Sequence, residues 1–572
     1  MRLAIVSTIS PLSSAAVAGP GPRADDKKPA STDDSHDHII VGGGTAGNAL
    51  ATRLSQGLAR ARILVIEAGP AALDDLDINC PGKRGSTLGG KYDWNLTITP
   101  QPGIKNRVMT VNRGKVLGGT SALNVMVWDR AASKEYDSWE DVGNKGWNWK
   151  SMISAMNKAE NVGGRNSDLY TGSAGGKGPV HAVINRNHPE HENAWIPTVQ
   201  ALGVPANTES LGYRCDVSAE LDRPYTLKQP TRRITARKEV ILSAGAIQSP
   251  NLLELSGVGQ QPVLSAAGIP QIVDLPGVGE NYQDHVRVAI SYQLEDGLTS
   301  GDRLRYDPEF AASEFAKWVN GEMSWHDGVR GGIAFANFKQ ILPGGDDTAL
   351  RSLAYDAIGG SHSPLDKKKL QFLDDASIPQ VELIFSDGYT GLQGYPAVGS
   401  PLYGKNSLSF IAGLMHPLSR GSVHVNPANP AGNPIIDPRY LDNEHDVQAL
   451  IGAVKFCPEI ARTEPRKSAL LSEYDPGLET VQTDEQWEEF VRSTMLSICH
   501  PSNTYAMLPE KDGGVVGEEL KVHGTTNLRV VDASVIPVQI SAHIQTAVYG
   551  IAERAAEMII SDDSATALAS QW

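Results

Sequence analysis

The chain has 572 residues, of which 40% are hydrophobic and 20% charged, and carries a formal net charge of −15. That length is more than one hydrophobic core commonly serves, so two domains and a large buried interior are expected. The acidic balance argues against nucleic acid and anionic membrane surfaces as partners and leaves a small neutral substrate open.

The chain opens MRLAIVSTISPLSSAAVAGPG. Arg2, the apolar and small residues over 3–18 and Ala16-Val17-Ala18 read as a signal peptide over 1–18. A polar, proline-rich lead-in over 19–35 follows, so export is expected. Without cleavage at that point the protein would stay inside the cell. Asn95-Leu96-Thr97 is one glycosylation sequon, which matters for an exported chain. No later stretch has the roughly 18 unbroken apolar residues needed to span a bilayer. Cys80, Cys215, Cys457 and Cys499 lie far apart without metal-ligand spacing, so no metal site and at most one or two disulfides are expected.

The stretch HDHIIVGGGTAGNALATRLSQGLARARILVIEAG covers 36–69. A strand over 38–41 leads into Gly42-x-Gly44-x-x-Gly47, with Thr45 and Ala46 inside the turn. A helix over 49–58 and a strand over 63–66 follow, and Glu67 ends that strand. This is a dinucleotide-binding βαβ unit with its context in register. Gly42 permits the tight turn, Gly44 lets backbone approach a pyrophosphate, and Gly47 lets the helix pack on the strand. The helix N-terminus offers free N–H groups to the phosphates, and Glu67 suits the ribose hydroxyls. FAD and NAD are both compatible with these residues.

RGKVLGGTSALNVMVWDRA (113–131) follows: Arg113, Gly118, Gly119, Thr120 and Ser121 form a small-residue loop that can approach a flat cofactor. SAGAIQSPNLLELSGVG (243–259) comes after a strand over 239–242. SICHPSNTYAML (497–508) places His500 in a small, apolar run. By itself it reads as either a satisfied core histidine or an acid/base near its unperturbed pKa. NLRVVDASVIPVQISAHIQTAVYG (527–550) runs from a strand through Asp532 and Ala533 to His543 and then a helix from about 546.

In this order and spacing the segments resemble the glucose–methanol–choline family of FAD oxidoreductases, from about 36 to 560. RGKVLGGTSALN and GAIQSPNLLELSGVG look like its two signature stretches. The resemblance implies FAD rather than NAD. It also implies an α/β fold: a doubly wound FAD domain in pieces over 36–125, 207–300 and 505–565, and a substrate domain on an antiparallel sheet over 126–206 and 301–504. His500-Pro501 with Thr504 and Met507 matches the family's catalytic histidine motif, and His543 its second active-site position. An alcohol hydroxyl is a very weak acid, so a base must take its proton as hydride leaves carbon, and neutral imidazole suits that task. His500 is the expected base and His543 its partner. By the same resemblance Asn124 and Val127 should face the flavin, Asp532 and Ala533 the pyrophosphate, and Gln545 and Thr546 the pyrimidine end. Trp94 fits either a cofactor neighbour or a plain core position.

Trp128, Phe385, Tyr389 and His416 are the expected pocket residues, and their rings suit a primary aryl alcohol. Oxygen or another acceptor would take the electrons. A sugar oxidase or dehydrogenase is the alternative within the family. A non-redox cyclase or a non-catalytic binder is the alternative outside it.

Two departures from the pattern stand out. Asn503 replaces the motif's glycine, at a position where Asn tolerates positive φ. The segment over 221–238, LDRPYTLKQPTRRITARK, is much shorter than the family's stretch closing over the adenine. An adenine left open by roughly 80–120 Å² loses about 2–3 kcal/mol at about 25 cal/mol per Å², or about 30- to 150-fold in affinity. The purified chain is therefore expected to be partly depleted of flavin and to melt at higher temperature when FAD is added. The flavin-to-protein absorbance ratio after extensive dialysis, with melting curves, checks this; full occupancy through dialysis overturns it.

Overall fold

The computed structural model describes residues 35–163, 176–183, 187–205, 214–216, 234–328, 330–392, 394–477 and 480–569. The proposed leader and the segment 217–233 lie outside the described residues.

In chain order, the elements that position the site are β1 (Ser35–Val41), α1 (Thr45–Gly57), β2 (Ile63–Ile66), α2 (Ser133–Asp141), α3 (Trp149–Ala159), β3 (Thr235–Leu242) and α4 (Gly245–Leu255). There follow β4 (Val286–Leu294), β5 (Gly331–Ala336), β6 (Val381–Asp387), β7 (Ser407–Leu414) and α5 (Glu444–Arg462). The last are β8 (Leu470–Asp475), β9 (Leu496–Ser497), β10 (Leu528–Val530) and α6 (Gln545–Ala569).

β10, β3, β1 and β2 form, in that order, a four-stranded parallel sheet. The fully buried Ile40 and Ile241 mark its interior, since parallel strands are covered on both faces. α1 packs on α6, and Gly57 makes the close approach: a Cβ there would meet Ile560 at 2.3 Å. The carboxyl ends of all four strands open on one crevice, carrying Gly42, Glu67, Ser243 and Val531. Ligands of open α/β sheets bind at such an edge.

The second layer is a six-stranded antiparallel sheet of order β5-β6-β7-β4-β8, with β9 also paired to β4. Val286, Val288, Ile290 and Tyr292 of β4 join Val381, Leu383 and Phe385 of β6 in one apolar core with α5. Because successive side chains in a strand alternate faces, the intervening residues His285, Arg287, Glu382 and Ile384 belong to the opposite face.

The α/β fold with a second antiparallel domain is as expected, but two boundaries differ. β4 belongs to the antiparallel sheet, so the chain crosses between layers near residue 285, not 300. Its alternating burial against α5 fixes that membership. α3 packs on α6 through Met152 and Met156, and α2 packs on α3, with Tyr136 and Trp139 in the same apolar core, so 133–159 belongs with the parallel-sheet layer, not with the substrate domain. Among the described residues Cys457 and Cys499 are free thiols, and no helix is long and apolar enough to cross a membrane.

Candidate active site

The crevice edge is built for close backbone approach. Gly42 takes φ +109°, and a Cβ there would lie 2.3 Å from the Ser243 carbonyl. A Cβ on Gly47 would lie 1.9 Å from the Gly42 carbonyl. A Cβ on Gly44 would meet only Gly119, at 3.8 Å, so that glycine faces open space. Gly44 caps α1 without a side-chain hydrogen bond and no acid stands in the first turn, so the helix N–H groups and dipole remain for an anion. Glu67 accepts Gly43 N–H and Gly69 N–H at 2.8 Å each, which orients its carboxylate at the end of β2. Burial nonetheless raises its pKa.

The loop from Arg113 to Asn124 interlocks with this turn. Gly118 N–H donates to the Gly43 carbonyl at 2.8 Å, and Thr45 Oγ1 lies 2.6 Å from Ser121 Oγ. The Thr120 hydroxyl accepts Gly114 N–H at 3.2 Å. Asn124 donates to Gln545 Oε1 at 2.9 Å, tying the loop to the start of α6, and Thr546 donates to the Asp129 carbonyl at 2.5 Å. Val127 is half-buried beside them. The Asp532 carboxylate accepts Gly245 N–H at 2.9 Å and the Ser249 hydroxyl at 2.7 Å, and Ala533 starts the following turn. The Arg113 guanidinium donates to the Cys499 carbonyl, so it braces the loop that carries His500. Lys115 lies 4.4 Å over the Trp94 ring, which packs at the margin of the antiparallel-sheet core.

His500 and His543, 43 residues apart in sequence, meet edge to face with ring centroids 4.6 Å apart. His285 joins them, its Nδ1 2.9 Å from His500 Nδ1. Glu382 Oε1 lies 2.8 Å from His543 Nε2, and Asp129 accepts His543 N–H at 2.9 Å. Burial opposes charge on His543, but the Glu382 and Asp129 carboxylates outweigh it and raise the imidazole to about 9. Burial, then the charges of His543, His285 and Arg113, holds His500 well below the ordinary histidine range. Burial, then the charges of His416 and His543, lowers His285 likewise. The arrangement therefore holds one imidazolium beside two neutral imidazoles. Burial also pushes Asp129 up to about 7.

The four expected pocket residues occupy core positions. Phe385 stacks on Trp195 on the α5 side of β6, because its place in the alternation turns it away from the histidines. Tyr389 donates to Asp475 Oδ2 at 2.9 Å and is 2% exposed. Trp128 donates to Glu160 at 2.7 Å and packs on Tyr549 of α6. His416 sits 3.1 Å from Glu135, which in turn accepts Ser541 N–H at 2.6 Å. Sequence reasoning missed Glu382, Asp129, Asp284 and His285. Glu382 was detectable as a lone acid in the apolar strand VELIF, and Asp129 as an acid in the run VMVWD.

A family model for GMC oxidoreductases matches residues 36–220 and 223–287, and a second matches 417–552. The chain belongs to the GMC oxidoreductase family. It is 32% identical to the GMC oxidoreductase family protein Mala s 12 of Malassezia sympodialis, over 92% of each chain. It is 31% identical to the dehydrogenase citC of Monascus ruber, over 92% of this chain and 96% of that one. A fungal aryl-alcohol oxidase superposes with TM-score 0.78 at 27% identity, covering 92% of this chain and 99% of the other. A formate oxidase gives 0.80 at 27% identity, covering 93% and 99%. The protein is an FAD-dependent oxidoreductase, and the open Gly44 edge, the uncapped α1 terminus and the Gly114–Asn124 loop fit that cofactor.

Two substitutions probe the histidines. The His543 pKa is raised from 6.5 to about 9, so its ion pairs stabilise the fold fully below about 6.5 and are lost as pH rises through about 9. In Glu382→Gln burial prevails, and the alkaline limb of the flavin-reduction rate moves to lower pH by about one unit or more. Rapid-mixing reduction rates from pH 6 to about 10 measure this; an unmoved limb refutes the pairing. His285→Asn keeps an acceptor for His500 Nδ1–H and should retain most activity, whereas His285→Leu should lose about tenfold or more. Equal rates in the two variants would remove His285 from the base's support.

Proposed function

We propose that the enzyme oxidises a primary aryl alcohol to the aldehyde, with His500 as the base and His543 as its charged partner. The observation that carries this reading is the edge-to-face contact of His500 with His543, whose Nε2 lies 2.8 Å from the buried Glu382 carboxylate. Two adjacent imidazoles with opposite protonation states suit proton abstraction beside charge stabilisation.

When His500 donates its Nδ1–H to His285 Nδ1, its other ring nitrogen is left unprotonated and can take the hydroxyl proton. The His543 imidazolium stabilises the developing alkoxide. FAD, when bound, supplies the hydride acceptor, and oxygen or another acceptor takes the electrons onward. Glu67 is the acceptor for the ribose hydroxyls, and the α1 N-terminus with Gly44 to Gly47 receives the pyrophosphate. Asn124, Gln545 and Thr546 hold the loop on which the flavin edge rests. A protein that only binds flavin has no use for a neutral histidine set against a charged one, which weighs against the non-catalytic reading.

Anaerobic bleaching of the flavin by benzylic alcohols, set beside sugars, tests the substrate class; reoxidation in air separates oxidase from dehydrogenase. His500→Ala should slow flavin reduction by about 10²- to 10⁴-fold while the protein folds. A rate within about threefold of the parent sinks the assignment of His500.

A further inference from the structure

Arg287 lies two residues beyond His285 on β4 and so shares the face of the antiparallel sheet that looks toward the histidines. The residues on either side of it, Val286 and Val288, are buried in the α5 core. In register it stands opposite Gly413 of β7, which stands in turn opposite Glu382 of β6. Arg287, Gly413 and Glu382 thus form one row across the sheet. Neighbouring strands are about 4.8 Å apart, which puts the Arg287 and Glu382 backbones roughly 10 Å from each other. The middle position has no side chain, and a Cβ there would strike Ile498 at 2.9 Å, so Ile498 makes the floor between the two charged residues apolar. Glu382 is committed to His543.

Several other inward arginines of this protein are paired with acids, and Arg466 is held by the His191 carbonyl and the Phe385 ring. Arg53 meets Glu553, Arg130 meets Glu160, Arg330 meets Asp387 and Arg529 meets Glu239. Arg287 is half-buried, and among the described residues no carboxylate, carbonyl or aromatic ring receives its guanidinium. Burial lowers its pKa, and Cys499, next to His500, is the one ionisable neighbour that acts on it. A guanidinium presents five donors in a planar fork that matches a carboxylate and is expensive to bury without an anion.

We propose that Arg287 recognises an anionic group of the substrate, so that the natural alcohol carries a carboxylate about one ring's length from its hydroxymethyl carbon. The carboxylate meets Arg287, the ring lies over Ile498 and Gly413, and the hydroxymethyl group reaches His500 and His543. The assignment deepens the aryl-alcohol reading and rests on it for the position of the reacting carbon, while the anion site itself is measurable without turnover.

The experiment has a binding arm and a kinetic arm, both on the FAD-loaded protein. In the first, benzoate and benzamide are titrated and read by the perturbation of flavin absorbance and by calorimetry. Benzoate should bind about 10- to 100-fold more tightly than benzamide, and Arg287→Met should abolish the difference. Arg287→Gln serves as a second variant, and Arg287→Lys should recover part of the preference. In the kinetic arm, 4-(hydroxymethyl)benzoate should reduce the flavin with a lower KM than its methyl ester. Arg287→Met should raise the KM for the acid by about tenfold or more relative to the KM for benzyl alcohol measured in the same variant. Equal binding of benzoate and benzamide, or a preference that survives in Arg287→Met and Arg287→Gln, overturns the proposal. A benzoate preference lost on substitution, in a protein whose flavin no alcohol reduces, supports the anion site and refutes the alcohol-oxidation reading instead.

Discussion

Three imidazole rings packed within touching distance cannot all be charged, and the chemistry of this site depends on which one is. His500 has His543 on one side, centroids 4.6 Å apart, and His285 on the other, 5.1 Å apart. Without further groups, burial would leave all three neutral. Glu382 breaks that equivalence by placing one buried carboxylate oxygen 2.8 Å from His543, and Asp129, raised by burial to about 7, adds a partial negative charge from the backbone side. The charge settles on His543, and that charge in turn helps keep a proton off His500. The protonation states of the two rings are therefore set before any substrate arrives. Asp129, Glu382 and His543 bring three ligand-type groups within 4.8 Å of one another, and the imidazolium balances one carboxylate while burial raises Asp129 to about 7.

The position of His500 is fixed by a second buried acid. Asp284 accepts His500 N–H at 2.7 Å, the Tyr440 hydroxyl at 2.6 Å and the Ser497 hydroxyl at 2.5 Å. The loop it holds is bent into the left-handed region on both sides of the histidine, at Cys499 (φ +65°) and Asn503 (φ +72°). Asn503 donates to the Ile536 carbonyl at 2.7 Å, so the residue that replaces the family's glycine is held in its conformation by its own side chain. The Arg113 guanidinium holds the Cys499 carbonyl from the cofactor-side loop. One acid, one amide and one guanidinium thus over-determine a strained turn, which is how strain persists at a working site.

Much of the fold was legible because its signals are local. A glycine turn between a strand and a helix has to be contiguous in sequence, so Gly42 to Gly47 and Glu67 are recognisable in one short stretch. His500 and His543 became legible only through the resemblance, since nothing within either segment says that they touch. Phe385 and Glu382 show why the pocket was misjudged. They are three residues apart in the same strand, and an odd separation puts them on opposite faces. An aromatic ring attracts attention as a pocket candidate, yet the apolar face of β6 belongs to the α5 core, and the acid marks the working face. His285 and Asp284 were overlooked because they precede β4 at a point assigned to the other domain.

The antiparallel sheet therefore does two unrelated jobs in one set of strands. Even-numbered positions of β4 and odd-numbered positions of β6 build the core with α5, where a change of volume is felt across the domain. The alternate positions, His285, Arg287 and Glu382, carry charge and hydrogen bonding and contribute little to that core. Substrate preference can then change by substitution on one face without repacking the other. Relatives named for aryl alcohols, sugars and formate are compatible with this separation, since a shared core tolerates different groups on the working face. In this chain that face carries a guanidinium without a partner acid among the described residues. A half-buried guanidinium with no group receiving it is better explained by a ligand than by folding, because folding alone would favour either its counter-ion or its replacement by an apolar side chain.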